Sequence, residues 1–340
     1  MTFRIYVTQD FDQMSEVAAG LVEADIREKQ AMKEEYVLGL ATGNSPTGLY
    51  KHLAKAFNEG RIDPSRVRSF NLDEYVGLPG ENPQQRALNC QSYSYFMVAE
   101  LFGLLEHKFR ETNVPWGTLI DQAALIGALE RNPEQYELWG VRGGRAVLIK
   151  DTANGILRDI KTNILDGYQK KIRDCGGIDL QVIGVGSGGH VAFHECGIPF
   201  GSNCVLLVRL DDTTVENAVS DGHFRCMEDC PQYAITMAAE FVYQAPTVLM
   251  VANGPRKTRP VAESVLGEVT CEVPISYAQR LAAAGGTVLY VLDEAAATEL
   301  LAWRGEVEAK GYELIDLRGK SYVPVSSLSF SRDPHGGCLK

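Results

Sequence analysis

Apolar residues recur along this chain at two spacings. Phe3 to Val7 is a short apolar run of strand character, and from Phe11 to Gln30 the positions Met14, Val17, Ala18, Leu21, Val22 and Ile26 fall on one helical face. The alternation then returns. Tyr36 to Ala41 is predicted as a strand, Thr42 to Ser45 as a tight turn, and Pro46 as the first residue of a helix capped by Ser45. Arg66 to Leu72 is predicted as a third strand ending at Asp73-Glu74, and Ser92 to Leu105 as a helix that follows a polar, mobile loop from Pro79 to Gln91. Between about residue 113 and residue 160 the pattern weakens around Trp116, Trp139 and the basic turn Val141 to Arg145, with a strand-like Ala146 to Ile149. Helical spacing resumes from Ile156 to Ile172. Strands are predicted at Asp179 to Val185, Cys204 to Leu210, Thr247 to Ala252 and Thr287 to Leu292, with helices at Pro255 to Leu266 and Glu294 to Val307.

Short strands alternating with helices predict an α/β fold: a doubly wound, mostly parallel sheet with helices on both faces, a Rossmann-like three-layer sandwich. No internal repeat or linker divides the chain. One domain over 1–340 is expected, with an insertion at about 113–160 and a Ser-, Pro- and Gly-rich tail, 320–340, that is loosely held.

Composition narrows the partners. The 340 residues are 45% hydrophobic, enough for a full core. A formal charge of −11, from 33 Lys plus Arg against 44 Asp plus Glu, argues against nucleic acid or an anionic membrane as partner. A small anion held in a local pocket stays open. The amino terminus lacks the apolar core of a signal peptide, and no long uncharged apolar stretch occurs, so a soluble cytoplasmic protein is expected. Eight cysteines without CxxC spacing are expected to be free thiols. His223, Cys226 and Cys230 match no common zinc pattern, so no metal site is expected.

Candidate chemistry concentrates where the strand at Asp179 to Val185 breaks into Gly-Val-Gly-Ser-Gly-Gly and delivers His190, His194 and Glu195. In open α/β sheets ligands bind beyond the carboxyl ends of strands. Asp73 ends another strand, so His190, Glu195 and Asp73 can share one sheet edge as an acid/base set, the carboxylate fixing the imidazole tautomer. The glycines, Gly186 and Gly188 among them, allow close backbone approach to a ligand. The Thr42 to Ser45 turn presents free N–H groups at a helix start, a physical basis for holding phosphate. A dinucleotide site is the rival reading, but no acidic residue ends a suitable strand about twenty residues on. His190 and His194 as a helical metal pair are disfavoured by the glycine-rich approach.

Taken together, Ala41-Thr-Gly-Asn-Ser-Pro-Thr-Gly-Leu-Tyr50, Phe70-Asn-Leu-Asp-Glu-Tyr-Val-Gly-Leu78 and Gly184-Val-Gly-Ser-Gly-Gly-His-Val-Ala-Phe-His-Glu195 resemble motifs of the glucosamine-6-phosphate deaminase/isomerase family, in a superfamily shared with 6-phosphogluconolactonases. Pro231 to Thr236 and the helix carrying Lys257 fall into register too, whereas about 113–160 finds no counterpart. The resemblance implies that Asp73 shuttles a proton between C2 and C1 of an open-chain sugar and that His190, oriented by Glu195, opens the ring. Thr42, Gly43, Asn44 and Lys257 would hold the 6-phosphate, with ammonia leaving and a ketose phosphate formed. No metal or organic cofactor is implied, and a homo-oligomer is. Four departures stand out. Gly188 replaces an aspartate of the histidine motif; His194 stands where asparagine is usual, and Cys196 where proline is. Asp221 falls where a phosphate-clamping arginine belongs. His194 is therefore a candidate stand-in for the missing carboxylate, Arg225 a displaced substitute clamp, and Arg142 or Arg145 further candidates. The alternatives are a non-deaminating sugar-phosphate isomerase, a lactonase-like hydrolase and a non-catalytic sugar-phosphate sensor.

Overall fold

The computed structural model describes residues 2–141 and 143–331. Its strands, in chain order, are β1 (Thr2–Thr8), β2 (Tyr36–Leu40), β3 (Val67–Asn71), β4 (Asp73–Val76), β5 (Glu111–Asn113), β6 (Tyr136–Trp139), β7 (Arg145–Ile149), β8 (Leu180–Ile183), β9 (Val205–Arg209), β10 (Tyr233–Met237), β11 (Thr247–Ala252), β12 (Thr287–Asp293) and β13 (Glu313–Asp316). Eight of them form one sheet in the order β13-β1-β12-β11-β8-β2-β3-β5, every neighbouring pair parallel. Strands β2, β8 and β11 are buried at every position, as apolar runs covered on both faces must be. Helices Phe11–Gln30 and Thr47–Asn58 cover one face through Met14, Val22 and Leu53 against Leu38, Leu40 and Val182. The helical stretch 155–174 and the helix Thr258–Leu266 cover the other, packing Tyr168, Ile172 and Val261 into the core of Phe70, Ile183 and Met250. The doubly wound, mostly parallel fold is the one the alternation predicts.

From β2 the chain runs outward to β3 and β5; from β8 it runs the opposite way to β11 and β12. The winding therefore reverses between β2 and β8. Two loops part there, and a crevice opens at the carboxyl ends of those strands.

A second, antiparallel sheet, β4-β10-β9-β7-β6, was not legible in the pattern. The chain passes from one sheet to the other at Leu72, whose N–H donates to Leu40 O (3.1 Å) while its carbonyl accepts from Met237 N (2.8 Å). Asp73 is thus the first residue of β4, opposite Thr236, rather than the end of a parallel strand. Strand β9, expected in the parallel sheet, pairs antiparallel with β10 and β7. Residues 113–160 supply β6, β7 and the helix Gln122–Arg131, and place Leu125, Leu129 and Val147 in the same core as Ile183.

Two loops differ from expectation. The polar loop from Pro79 to Gln91 carries a short helix, Pro83–Ala87, capped by Asn82. Its buried Arg86 donates to Gly80 O, Thr118 O and Asp121 Oδ2, each at 3.3 Å, so its polarity serves hydrogen bonding rather than looseness. As far as Ser331 the tail lies against the helix Phe11–Gln30: Tyr322 Oη donates to Asp10 Oδ2 (2.5 Å) and Val325 N to Asp12 Oδ1 (3.3 Å). The rest of the tail, with Cys338, and also Arg142, lie outside the described residues. Among the described residues no helix is long and apolar enough to cross a membrane.

Candidate active site

At the reversal between β2 and β8 lies a cleft of about 310 Å³, lined by Thr42, Gly43, Asn44, Asp73, Gly186, His190 and Lys257 among others. Seven of the predicted residues thus face one space.

The phosphate-type loop follows β2. Its helix starts one residue later than predicted: Pro46 is the cap and its ring has no atom to make a cap bond, while Ser45, the expected cap, donates its hydroxyl to Asn253 Oδ1 (2.7 Å) after β11. That bond ties the two loops of the cleft floor. Lys257 lies on the same side, its ammonium pKa lowered by burial and by Arg256.

Asp73 is buried, and its Oδ1 meets no hydrogen-bond partner. Burial, and then the neighbouring charge of Glu74, hold its carboxyl pKa well above the ordinary value. Glu74 points away and is satisfied by Tyr75 N (2.9 Å), Ser92 Oγ (2.7 Å), Tyr93 N (3.0 Å) and Ser94 N (3.2 Å). It fixes the start of the helix Tyr93–Met97, whose Tyr93 ring stacks on Phe193 at 5.9 Å to wall the cleft.

The glycine loop explains itself by contact. A Cβ at Gly186 would overlap the His190 imidazole, and Gly189 has φ +90°. Gly186 N donates to His190 O (3.1 Å), closing the loop on itself. Ala192, φ +51°, is the non-glycine residue with left-handed backbone among the described residues, and it too lines the cleft. His190 Nδ1 lies 3.6 Å from Glu195 Oε2, beyond a good hydrogen bond. Glu195 is held instead by Thr214 Oγ1 (2.9 Å) and Asp211 N (3.3 Å). Burial drives the two groups toward neutrality, His190 down to about 4 and Glu195 up to about 7. Asp211 adds a countercharge to His190 that opposes the fall.

Four candidates do not sit as the sequence suggested. His194 is buried outside the cleft: Nδ1 accepts from Ala239 N (3.0 Å) and Nε2 donates to Ile198 O (3.1 Å), so both nitrogens serve the backbone. It is no substitute for a relay carboxylate. Arg225 is exposed, pairs with Asp229 (2.8 Å) and faces away from the cleft. Arg145 folds back onto Gly140 O. Gly188 does not line the cleft either; a Cβ there would meet Cys196 Sγ at 3.0 Å, and the Cys196 thiol donates to Gly188 O (3.1 Å). Glycine at 188 and cysteine at 196 are thus packed as a pair. Sequence reasoning missed Arg256, Asn253, Asn217, Thr214 and Tyr93, all of which line the cleft. Only the side-chain spacing of Thr214 and Asn217 on one helix could have flagged any of them. Among the described residues no three His, Cys, Asp or Glu side chains gather as metal ligands.

No family model matches the chain. A glucosamine-6-phosphate deaminase of Clostridium perfringens is 32% identical over 296 residues, 86% of this chain and 98% of the relative. The chain belongs to the glucosamine-6-phosphate deaminase family. A deaminase of Clostridioides difficile is likewise 32% identical, over 297 residues covering 87% of this chain and 96% of its own. Among solved structures, a monomeric glucosamine-6-phosphate deaminase matches with a TM-score of 0.63 at 22% identity, covering 87% of this chain and 99% of that one. The 6-phosphogluconolactonase of Trypanosoma brucei matches at 0.53 and 16%, covering 88% and 100%; at such identity both establish the fold alone. In this chain the three motif stretches converge on the cleft described above.

Proposed function

We propose that the protein is an amino-sugar-phosphate deaminase/isomerase that converts glucosamine 6-phosphate and water to fructose 6-phosphate and ammonia. The observation that carries this reading is the buried Asp73 carboxylate, with an oxygen that meets no partner, facing the same cleft as His190 and Lys257. In the proposed sequence neutral His190 takes the anomeric hydroxyl proton and returns a proton to the ring oxygen, opening the ring. Asp73 then removes the C2 proton and delivers it to C1, while O1 takes up the proton that the amine nitrogen gives up, so that C1 becomes CH2OH and C2 an imine. Water adds at C2 and the C–N bond breaks, releasing ammonia. A carboxylate raised in pKa is the stronger base for the C2 step. Thr42, Gly43, Asn44 and Lys257 hold the phosphate, and Glu195 keeps His190 in place. The chemistry draws on no cofactor, since the substrate carbonyl is the electron sink.

Asp73→Asn is the test. Turnover measured as ammonia and ketose phosphate should fall by about 10²-fold or more, with thermal protection by glucosamine 6-phosphate retained. Undiminished turnover would remove Asp73 from the chemistry. From the family resemblance we also infer a cytoplasmic homo-oligomer with 1–340 as one deaminase/isomerase-like domain. Sedimentation equilibrium at a single species of 37.3 kDa would reject the oligomer.

A further inference from the structure

The cleft carries a cation that no motif announced. Arg256 lines it one residue before Lys257, and its Nη2 donates to Asp221 Oδ1 at 2.8 Å. Asp221 also lines the cleft, at the C-terminal cap of the helix Asp212–Ser220. That helix faces the cleft along its length: Thr214 holds Glu195 near its start, Asn217 Nδ2 donates to Ser187 Oγ (2.9 Å) in its middle, and Asp221 ends it. Arg225, the nearest arginine in sequence to the expected clamp, is turned to solvent with Asp229. Ion-pair chemistry at the phosphate end of the cleft therefore rests on Arg256, Lys257 and Asp221. The Arg256 side chain is 64% exposed, so an incoming anion can reach it without rearranging the core.

We infer that Arg256 binds the substrate's phosphate dianion, and that Asp221 is an internal competitor that occupies the guanidinium until the dianion displaces it. The reason is chemical. A guanidinium offers parallel N–H donors that suit carboxylate and phosphate alike, and a dianion beside Lys257 and the Thr42–Asn44 loop outbids a single exposed carboxylate. An exposed ion pair is weak in itself, so exchange costs little. Such an arrangement sets the affinity of the site and leaves the proton transfers to Asp73 and His190.

This inference rests on the deaminase reading only for its substrate, so the test separates the two. KM and kcat for glucosamine 6-phosphate, and the binding of inorganic phosphate by thermal shift, would be measured for the wild type, Arg256→Gln, Arg256→Lys and Asp221→Asn. Arg256→Gln should raise KM about tenfold or more with kcat within about threefold, and weaken phosphate binding in parallel; each tenfold is 1.4 kcal/mol. Arg256→Lys should recover part of the loss. Asp221→Asn should tighten phosphate binding a few-fold. Unchanged KM and phosphate affinity in Arg256→Gln overturn the clamp, and weaker phosphate binding in Asp221→Asn overturns the competitor. Absence of turnover on any hexosamine phosphate, with phosphate binding still lost in Arg256→Gln, would sink the deaminase reading and leave the clamp standing.

Discussion

Glu195 is buried yet must influence a histidine, and its protonation carries a measurable signature. Its carboxyl titrates near 7 against an ordinary 4.5, because burial outweighs the Thr214 and Asp211 hydrogen bonds. Between those values the folded protein holds a proton that the unfolded chain has released. Stability from this group is therefore full below pH 4.5 and is lost as pH rises through about 7. Glu195→Gln cannot titrate, so its melting temperature should gain on the wild type as pH is raised from about 5 to about 8. His190 contributes the opposite slope, since its pKa is lowered to about 4, but that slope is common to both proteins and cancels in the difference. A difference that stays flat with pH would show that Glu195 is already ionised in the fold.

At the scale of elements, the glycine loop after β8 was the most readable part of the chain, and the reason is steric. His190 packs where a side chain at 186 would sit, so Gly186 is needed for the histidine and not for backbone freedom, its φ lying outside the left-handed region. Gly186→Ala is expected to leave secondary structure intact by circular dichroism while lowering kcat about tenfold or more, because the imidazole must move, and misplacement by about 1 Å can cost roughly 10²-fold. Unchanged kcat would mean that the ring has other room. The second sheet was unreadable for the complementary reason. Val205–Arg209 reads as a strand from its residues, but its partners are Tyr233–Met237 and Arg145–Ile149, tens of residues away in either direction. Local pattern specifies a strand; distant pairing specifies its sheet. The cap at Ser45 failed similarly, since its hydroxyl is claimed by Asn253, 208 residues on.

Across the whole molecule, the parallel sheet was legible because its strands are covered on both faces and so read as continuous apolar runs, and Asp73 and His190 could be placed at the cleft because each sits in a contiguous motif just beyond a strand of that sheet. Arg256 could not be, for it enters the cleft from the short turn Pro255–Lys257, which has no pattern of its own. The tail belongs with it. Its composition suggests slack, yet the Gln13 amide donates to Leu317 O (2.8 Å) and Lys320 O (3.1 Å), and Tyr322 and Val325 continue along the same helix. Gly48 in the helix Thr47–Asn58 leaves the space that Ser15 and Val325 share, a Cβ there lying 2.7 Å from Ser15 Cβ and 2.9 Å from Val325 Cγ2, and Phe330 packs against the same core as Met14 and Leu53. The strap therefore crosses both helices on that face, the second of which begins just after the Thr42–Asn44 loop. Ending the chain after Lys320 should lower stability by roughly 2 kcal/mol, about one partly buried aromatic side chain with its neighbours. Because no strap residue among the described residues lines the cleft, KM should stay within about twofold of the full chain, a difference below about 0.5 kcal/mol. A urea midpoint unmoved by the truncation would show that these contacts add nothing to the fold; a lowered midpoint with unchanged KM would show that the strap secures the helix layer without shaping the site.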